Sequence, residues 1–200
     1  MAIKYDDKYI KRPNEDVEYT PENIKELKKC SKDVNYFLKY VKIIHPDHGE
    51  VLFDPYPYQH ELLKKFQKFR YNVALCSRQS GKTTIVGAYV LWYALFNRDK
   101  TIGIVSNKES SAKMILSRIK KMYECLPNWL KPGVTEYSKM FTTFDNGTRI
   151  VISATSADAF RGETVNLLCC LGGENKVKVK NKITNEIKEI EIENLYYDLK

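Results

Sequence analysis

Cys76-Ser77-Arg78-Gln79-Ser80-Gly81-Lys82-Thr83-Thr84 decides how this chain of 200 residues is read. It fits the pattern G-x-x-x-x-G-K-S/T at every position but the first, where Cys76 stands in place of Gly. The chemistry of the pattern survives that change. Gly81 lets the backbone approach a phosphate closely, and the N–H groups of the loop and of the next helix cradle it. Lys82 is placed to reach the β- and γ-phosphates, and the Thr83 hydroxyl to ligate Mg²⁺. Arg78 puts a positive charge inside the loop, where charge develops on a transferring phosphoryl group; as a plain surface group it would contact backbone carbonyls instead. A bare G-K-T arises often by chance, so the flanks carry the weight. Asn72 to Cys76 is expected to form a short buried strand, and Thr83 to Phe96 an almost wholly apolar helix.

Further out, Tyr58-Gln59 opens a helix running to Phe69. A Gln amide can pair with both a donor and an acceptor on an adenine edge, and the Tyr58 ring can pack on the base. Residues 1 to about 20 are polar and expected to be loosely ordered. Thr20-Pro21-Glu22-Asn23 starts a basic helix through Lys32, and Asp33 to Ile44 is expected to form a second, amphipathic one. His45 and His48 lie in a loop with no further His or Cys suitably placed, which favours plain loop polarity over a metal site. Past the apolar helix, Thr101 to Ser106 is expected as a strand and Ser110 to Cys125 as a helix. Asp145-Asn146-Gly147, between Phe141–Phe144 and Arg149–Ser153, signals a hairpin. Val165 to Cys169 is a last buried strand. The alternation of strands and helices predicts an α/β sheet with one hairpin added.

The bulk numbers narrow the class. A hydrophobic fraction of 43% with 29% charged residues fits a soluble globular protein, and a net charge of +8 suits an anionic partner such as nucleic acid. No stretch approaches the roughly 20 apolar residues of a membrane span, and the N-terminus lacks the apolar core of a signal peptide. Cys30, Cys76, Cys125, Cys169 and Cys170 show no metal-ligand spacing, so free thiols in a reducing compartment are expected.

These segments in order resemble the large terminase subunit of tailed bacteriophages, a DNA-packaging motor. Tyr58-Gln59, Ser77 through Thr84, Ile102-Gly103-Ile104, Leu126-Pro127-Asn128-Trp129, Phe144-Asp145-Asn146-Gly147-Thr148 and Ala157-Asp158-Ala159-Phe160-Arg161-Gly162 carry the likeness. Helicases share the Gln and the phosphate loop, but not the Ser-Arg-Gln loop followed by the Ala-Asp-Ala-Phe-Arg-Gly stretch. The resemblance implies an ATPase that uses ATP and Mg²⁺ to drive double-stranded DNA into a capsid in the cytoplasm of an infected bacterium. Its implied partners are portal and small terminase subunit. It makes Tyr58, Gln59, Ser77, Arg78, Gln79, Ser80, Gly81, Lys82, Thr83 and Thr84 the nucleotide site, with Arg78 a candidate arginine finger. It also implies an acidic pair after the strand at 165–169, and this sequence has none there.

In place of those acids stands Cys170-Leu171-Gly172-Gly173-Glu174-Asn175-Lys176-Val177, which resembles the opening block of an intein. Glu174 and Asn175 depart from its more usual Asp and Thr. Val177-Lys178-Val179 and Ile187 to Ile192 alternate as strands, Asn181 to Glu186 reads as a turn, and Glu193 to Leu199 as a short helix. The resemblance makes Cys170 the nucleophile and Cys169 the acyl donor at a splice junction, with Cys169 a competing first residue. It implies a complementary chain carrying the C-terminal intein half and its flank. The expected fold class is thus α/β: a partial P-loop NTPase, a parallel sheet with helices on both faces, followed by the first β-hairpin of an intein (Hint-type) fold. Three parts are expected: an N-terminal helical segment 1–52, a half-ATPase 53–169, and an intein fragment 170–200. A terminase fragment with an unrelated tail and no splicing is the alternative.

Overall fold

Thr20 starts the first helix as its sequence requires: its hydroxyl accepts from Asn23 N at 3.2 Å, and Pro21 follows at the first helical position. The computed structural model describes residues 9–45, 47–76, 80–154, 160, 162–171, 176–180 and 184–191. Helix α1 spans Pro21–Lys32. Its Glu26 carboxylate accepts from Lys29 at 2.9 Å and from the hydroxyls of Tyr40 and Tyr36 at 2.7 Å each. Those bonds, Lys29 first, hold the Glu26 carboxyl at about 2, far below its ordinary 4.5. A depressed carboxylate contributes stability that is present above about 4.5 and lost as pH falls toward 2. Thermal melts between pH 6 and pH 3 are therefore expected to lose part of their acid sensitivity in Glu26→Gln.

The second helix is shorter than its pattern suggests. α2 spans only Val34–Phe37, a 3₁₀ turn covers Leu38–Tyr40, and Lys42–His45 forms strand β1. β1 pairs antiparallel with β2, Gly49–Leu52. Ile43 and Ile44 are β-branched, and a hairpin across residues 45–49 gives them a ladder that a longer helix would forgo. The segment expected to be loose is also tied down from Tyr9 onward. Lys131 Nζ donates to Tyr9 O at 3.1 Å, Val134 N to Lys11 O at 3.0 Å, and Lys11 Nζ to Lys131 O at 3.0 Å. Composition does not reveal such distant partners.

α3 spans Pro57–Lys68 and α4 spans Lys82–Phe96. Between them Asn72–Cys76 corrects the expected buried strand: it lies outside every ladder, and Val73 and Leu75 are 42% and 56% exposed. A strand needs a hydrogen-bonded neighbour. The central strand β3, Thr101–Ser106, already has both edges filled, by β6 (Arg149–Ala154) and by β7 (Leu167–Leu171), each parallel to it. Helix α5, Glu109–Glu124, comes after β3. β4, Val134–Tyr137, and β5, Phe141–Phe144, complete a mixed sheet in the order β4-β5-β6-β3-β7. β4 is an addition that the sequence pattern does not announce. β8 (Lys176–Lys180) and β9 (Ile187–Glu191) pair with each other as the tail's hairpin, while the helix expected at 193–199 lies outside the described residues.

Register places Ile102 and Ile104 with Leu167 and Cys169 on one face of the sheet. α4 and α5 cover that face, where Ile85, Leu91, Leu116, Ile150 and Ile152 complete the core. On the opposite face Gly103 and Val105 are buried while Leu168 remains 54% exposed, so that face is covered in part among the described residues. Each fully buried aliphatic side chain contributes about 1.5–3 kcal/mol, against about 0–1 for an exposed ion pair, so this interface dominates stability. The Asp145-Asn146-Gly147 turn does more than close a hairpin. Asn146 Nδ2 donates to Ala94 O at 2.8 Å and Asn97 O at 3.1 Å, capping the C-terminus of α4. Gly147 adopts φ 80°, and a side chain there would collide with Asp99.

Candidate functional site

Gly81 joins the glycine-containing loop to α4. It takes φ 75°, caps α4, and its carbonyl accepts from Thr84 N at 3.0 Å and Ile85 N at 3.1 Å. Lys82 is thereby the first residue of an apolar helix, with Thr83 and Thr84 in the same turn. The N-terminal N–H groups and positive end of α4 thus belong to a turn whose side chains include an amine and two hydroxyls. A helix N-terminus opened by a Lys and two Thr is chemically compatible with a phosphate and its Mg²⁺. Ser77, Arg78 and Gln79 lie outside the described residues, as does Arg161. Cys76, at the loop's entry, is half-buried.

Tyr58 and Gln59 come to this loop from the start of α3. The Tyr58 hydroxyl donates to Ser80 O, and Gln59 Nε2 donates to the same carbonyl at 3.3 Å. Gln59 Oε1 accepts from Tyr56 N at 2.9 Å, and the side chain is 1% exposed. The amide thus uses one donor and one acceptor as a strut between α3 and the loop. The amide is buried against the loop, so in this structure its place is between α3 and Ser80. A Cβ added at Gly81 would lie 2.7 Å from Gln59 Nε2, so the strut packs directly against the glycine. Tyr56 and Tyr58 stack with ring centroids 6.1 Å apart and stay exposed.

The Cys169–Cys170 peptide bond lies inside β7, and the strand runs two residues past Cys169. Ile104 pairs with Cys169, Val105 with Cys170 and Ser106 with Leu171. Burial pushes the Cys169 thiol up to about 12 and raises that of Cys170 as well. β7 carries no carboxylate, and the next acid in the chain is Glu174. Cys30 and Cys125 sit at the ends of α1 and α5, and burial raises both thiols to about 11. His45 and His48 stack at 4.8 Å, and among the described residues no group of three or more His, Cys, Asp or Glu is placed to hold a metal. No described helix is long and apolar enough to cross a membrane.

One feature is invisible in the sequence. Lys120 on α5 turns inward, donating to Ser138 O with its amine 3.8 Å from the Tyr137 ring centre, and burial lowers it to about 8. A Lys in an amphipathic helix reads as solvated, and nothing local signals otherwise.

Residues 73–170, close to half of the chain, match the family described as terminase large subunit, T4likevirus-type, N-terminal. The match takes in residues 76–84, α4, the five-stranded sheet as far as Cys170, and the helix between its strands, and over that segment the chain is similar to the N-terminal part of a phage terminase large subunit.

Proposed function

We propose that this chain is the front of a viral DNA-packaging ATPase fused to a short intein fragment, and that it is completed by splicing in trans with a partner chain. The observation that carries the proposal is where similarity stops. The terminase match ends at residue 170, within one residue of the junction read from the tail, and the chain continues into a Lys- and Glu-rich hairpin. In the completed motor, Lys82 and the α4 N-terminus hold the nucleotide phosphates, Gln59 fixes the loop, and Arg78 stabilises charge on the transferring group. Mg²⁺, when bound at Thr83, would offset phosphate charge. Double-stranded DNA, portal and small terminase subunit are the partners of that motor.

The junction's chemistry supplies the splicing steps. The Cys170 thiolate attacks the Cys169 carbonyl; the C–N bond breaks, a C–S bond forms, and the thiol proton ends on the freed Cys170 amine. A Cys, Ser or Thr at the head of the partner's flank then takes the acyl chain. Cyclisation of the partner's terminal Asn releases the intein, and an acyl shift restores the amide. The activating His, the Asn and the last nucleophile come from the partner chain.

β7 lacks the carboxylates that align metal and activate water, so this chain alone is expected to hydrolyse ATP hardly at all. Turnover is expected to appear when the spliced product is purified. Near-normal turnover by the unspliced chain would contradict the proposal. A second reading is favoured by the ladder that carries β7 through Cys170 and Leu171. In it the chain is a terminase fragment that binds ATP and DNA without splicing.

A further inference from the structure

The junction that splicing must open is held closed by the sheet it would complete. Cys169 and Cys170 are consecutive rungs on β3, and Ser106 Oγ donates to Leu171 O at 3.3 Å. The strand's start is clasped twice: Asn166 N donates to Thr101 O at 2.8 Å, and Thr101 N donates to Asn166 Oδ1 at 2.9 Å. Cys169 faces the α4 side with Leu167, among the residues packed on the core. Attack by Cys170 Sγ on its own preceding carbonyl requires that carbon to turn tetrahedral, and the extended backbone around it to fold into a five-membered ring. A peptide fixed in a parallel ladder, with one edge on β3 and one face under a helix, cannot make that turn in place. Cys170 and Leu171 occupy the rungs opposite Val105 and Ser106, the positions that the partner's first two residues would take after splicing.

We propose that β7 is a gate: splicing proceeds only from a state in which Leu167–Leu171 has left β3, and docking of β7 in the unspliced chain is an autoinhibitory contact. The gate rests on the splicing proposed above. It orders events, because pairing with the intein partner must draw the strand out before the chains join. The finished strand then returns to β3 carrying the host's own residues. The high thiol positions of both cysteines in the docked strand agree with this, since the thiolate is the attacking form.

The test uses the full chain with the complementary C-terminal intein chain and dithiothreitol. The dithiothreitol thiolate displaces Cys170 from the thioester and frees a fragment ending at Cys169, followed by intact mass. Asn166→Ala removes one half of the clasp and leaves the junction residues alone. It is expected to cleave about three- to tenfold faster than the parent, the effect of one lost hydrogen bond on docking. As a second measurement on the unaltered chain, urea below the unfolding transition is expected to speed cleavage. Hydrogen exchange at the Cys170 amide is expected to be slow before the partner is added and fast after. Equal cleavage rates in both chains, indifferent to urea, would overturn the gate while leaving splicing standing. Absence of cleavage in every chain and at every urea concentration would overturn splicing itself, and the gate with it.

Discussion

Cys170→Ala leaves the chain at its full mass in the presence of dithiothreitol and the complementary intein chain, with no cleavage and no ligation. The expected effect is complete, because the step requires a nucleophile one bond beyond the scissile carbonyl and no other side chain stands there. Cys169→Ala is the informative control. Cys169 contributes only its carbonyl, which Ala also supplies, so cleavage continues after residue 169. If the two effects came out reversed, the junction would lie one residue earlier. Cys30 and Cys125 are not expected to compete, since they sit on α1 and α5, far along the chain from the junction.

Lys82→Ala, made in the full chain and carried through splicing, is expected to leave ligation intact and lower ATP turnover of the product by about 10²–10³-fold. That is the usual cost of removing one donor aimed at developing charge in a dry site. Steady-state phosphate release on the purified spliced protein measures it. Lys82 opens α4, whereas the junction lies in β7. The two substitutions therefore separate the two activities: one abolishes joining, the other abolishes hydrolysis in a protein that has joined normally. Turnover unchanged by Lys82→Ala would remove the phosphate loop from the account of function.

The elements that the sequence announces are those whose signal is local. Thr101–Ser106 is found at its expected bounds, because six consecutive residues suited to a buried strand leave little choice. α4 starts within one residue of its expected start and ends at Phe96, because glycine, a capping turn and an unbroken apolar run all agree. The features that the sequence hides are properties of partners. Val73 and Leu75 have strand-like composition, yet residues 72–76 form none, since both edges of β3 are taken by β6 and β7. The apolar run predicts a strand that stops at Cys169. Cys170 and Leu171 instead continue the ladder because Val105 and Ser106 present free rungs beyond Cys169.

The candidate site divides in the same way. The position of Gly81, Lys82 and Thr83 at the start of α4 is legible from spacing alone, and the strand-free approach to the loop is not. Sequence suggests Gln59 as a group for adenine. Its place against Gly81 and Ser80 adds a mechanical task that no single sequence displays, because it depends on α3 folding back across twenty-odd residues onto the loop. The tail's hairpin is legible from the alternation of Val177, Lys178 and Val179, whose strand pairs with β9.

Whether the chain splices is decided by the intact mass of the full chain after mixing with its complementary intein chain. A species of residues 1–169 joined to the partner's flank, together with a released fragment beginning at Cys170, is the result predicted. An unchanged mass beside a folded, matched partner would contradict it and leave a terminase ATPase fragment without splicing.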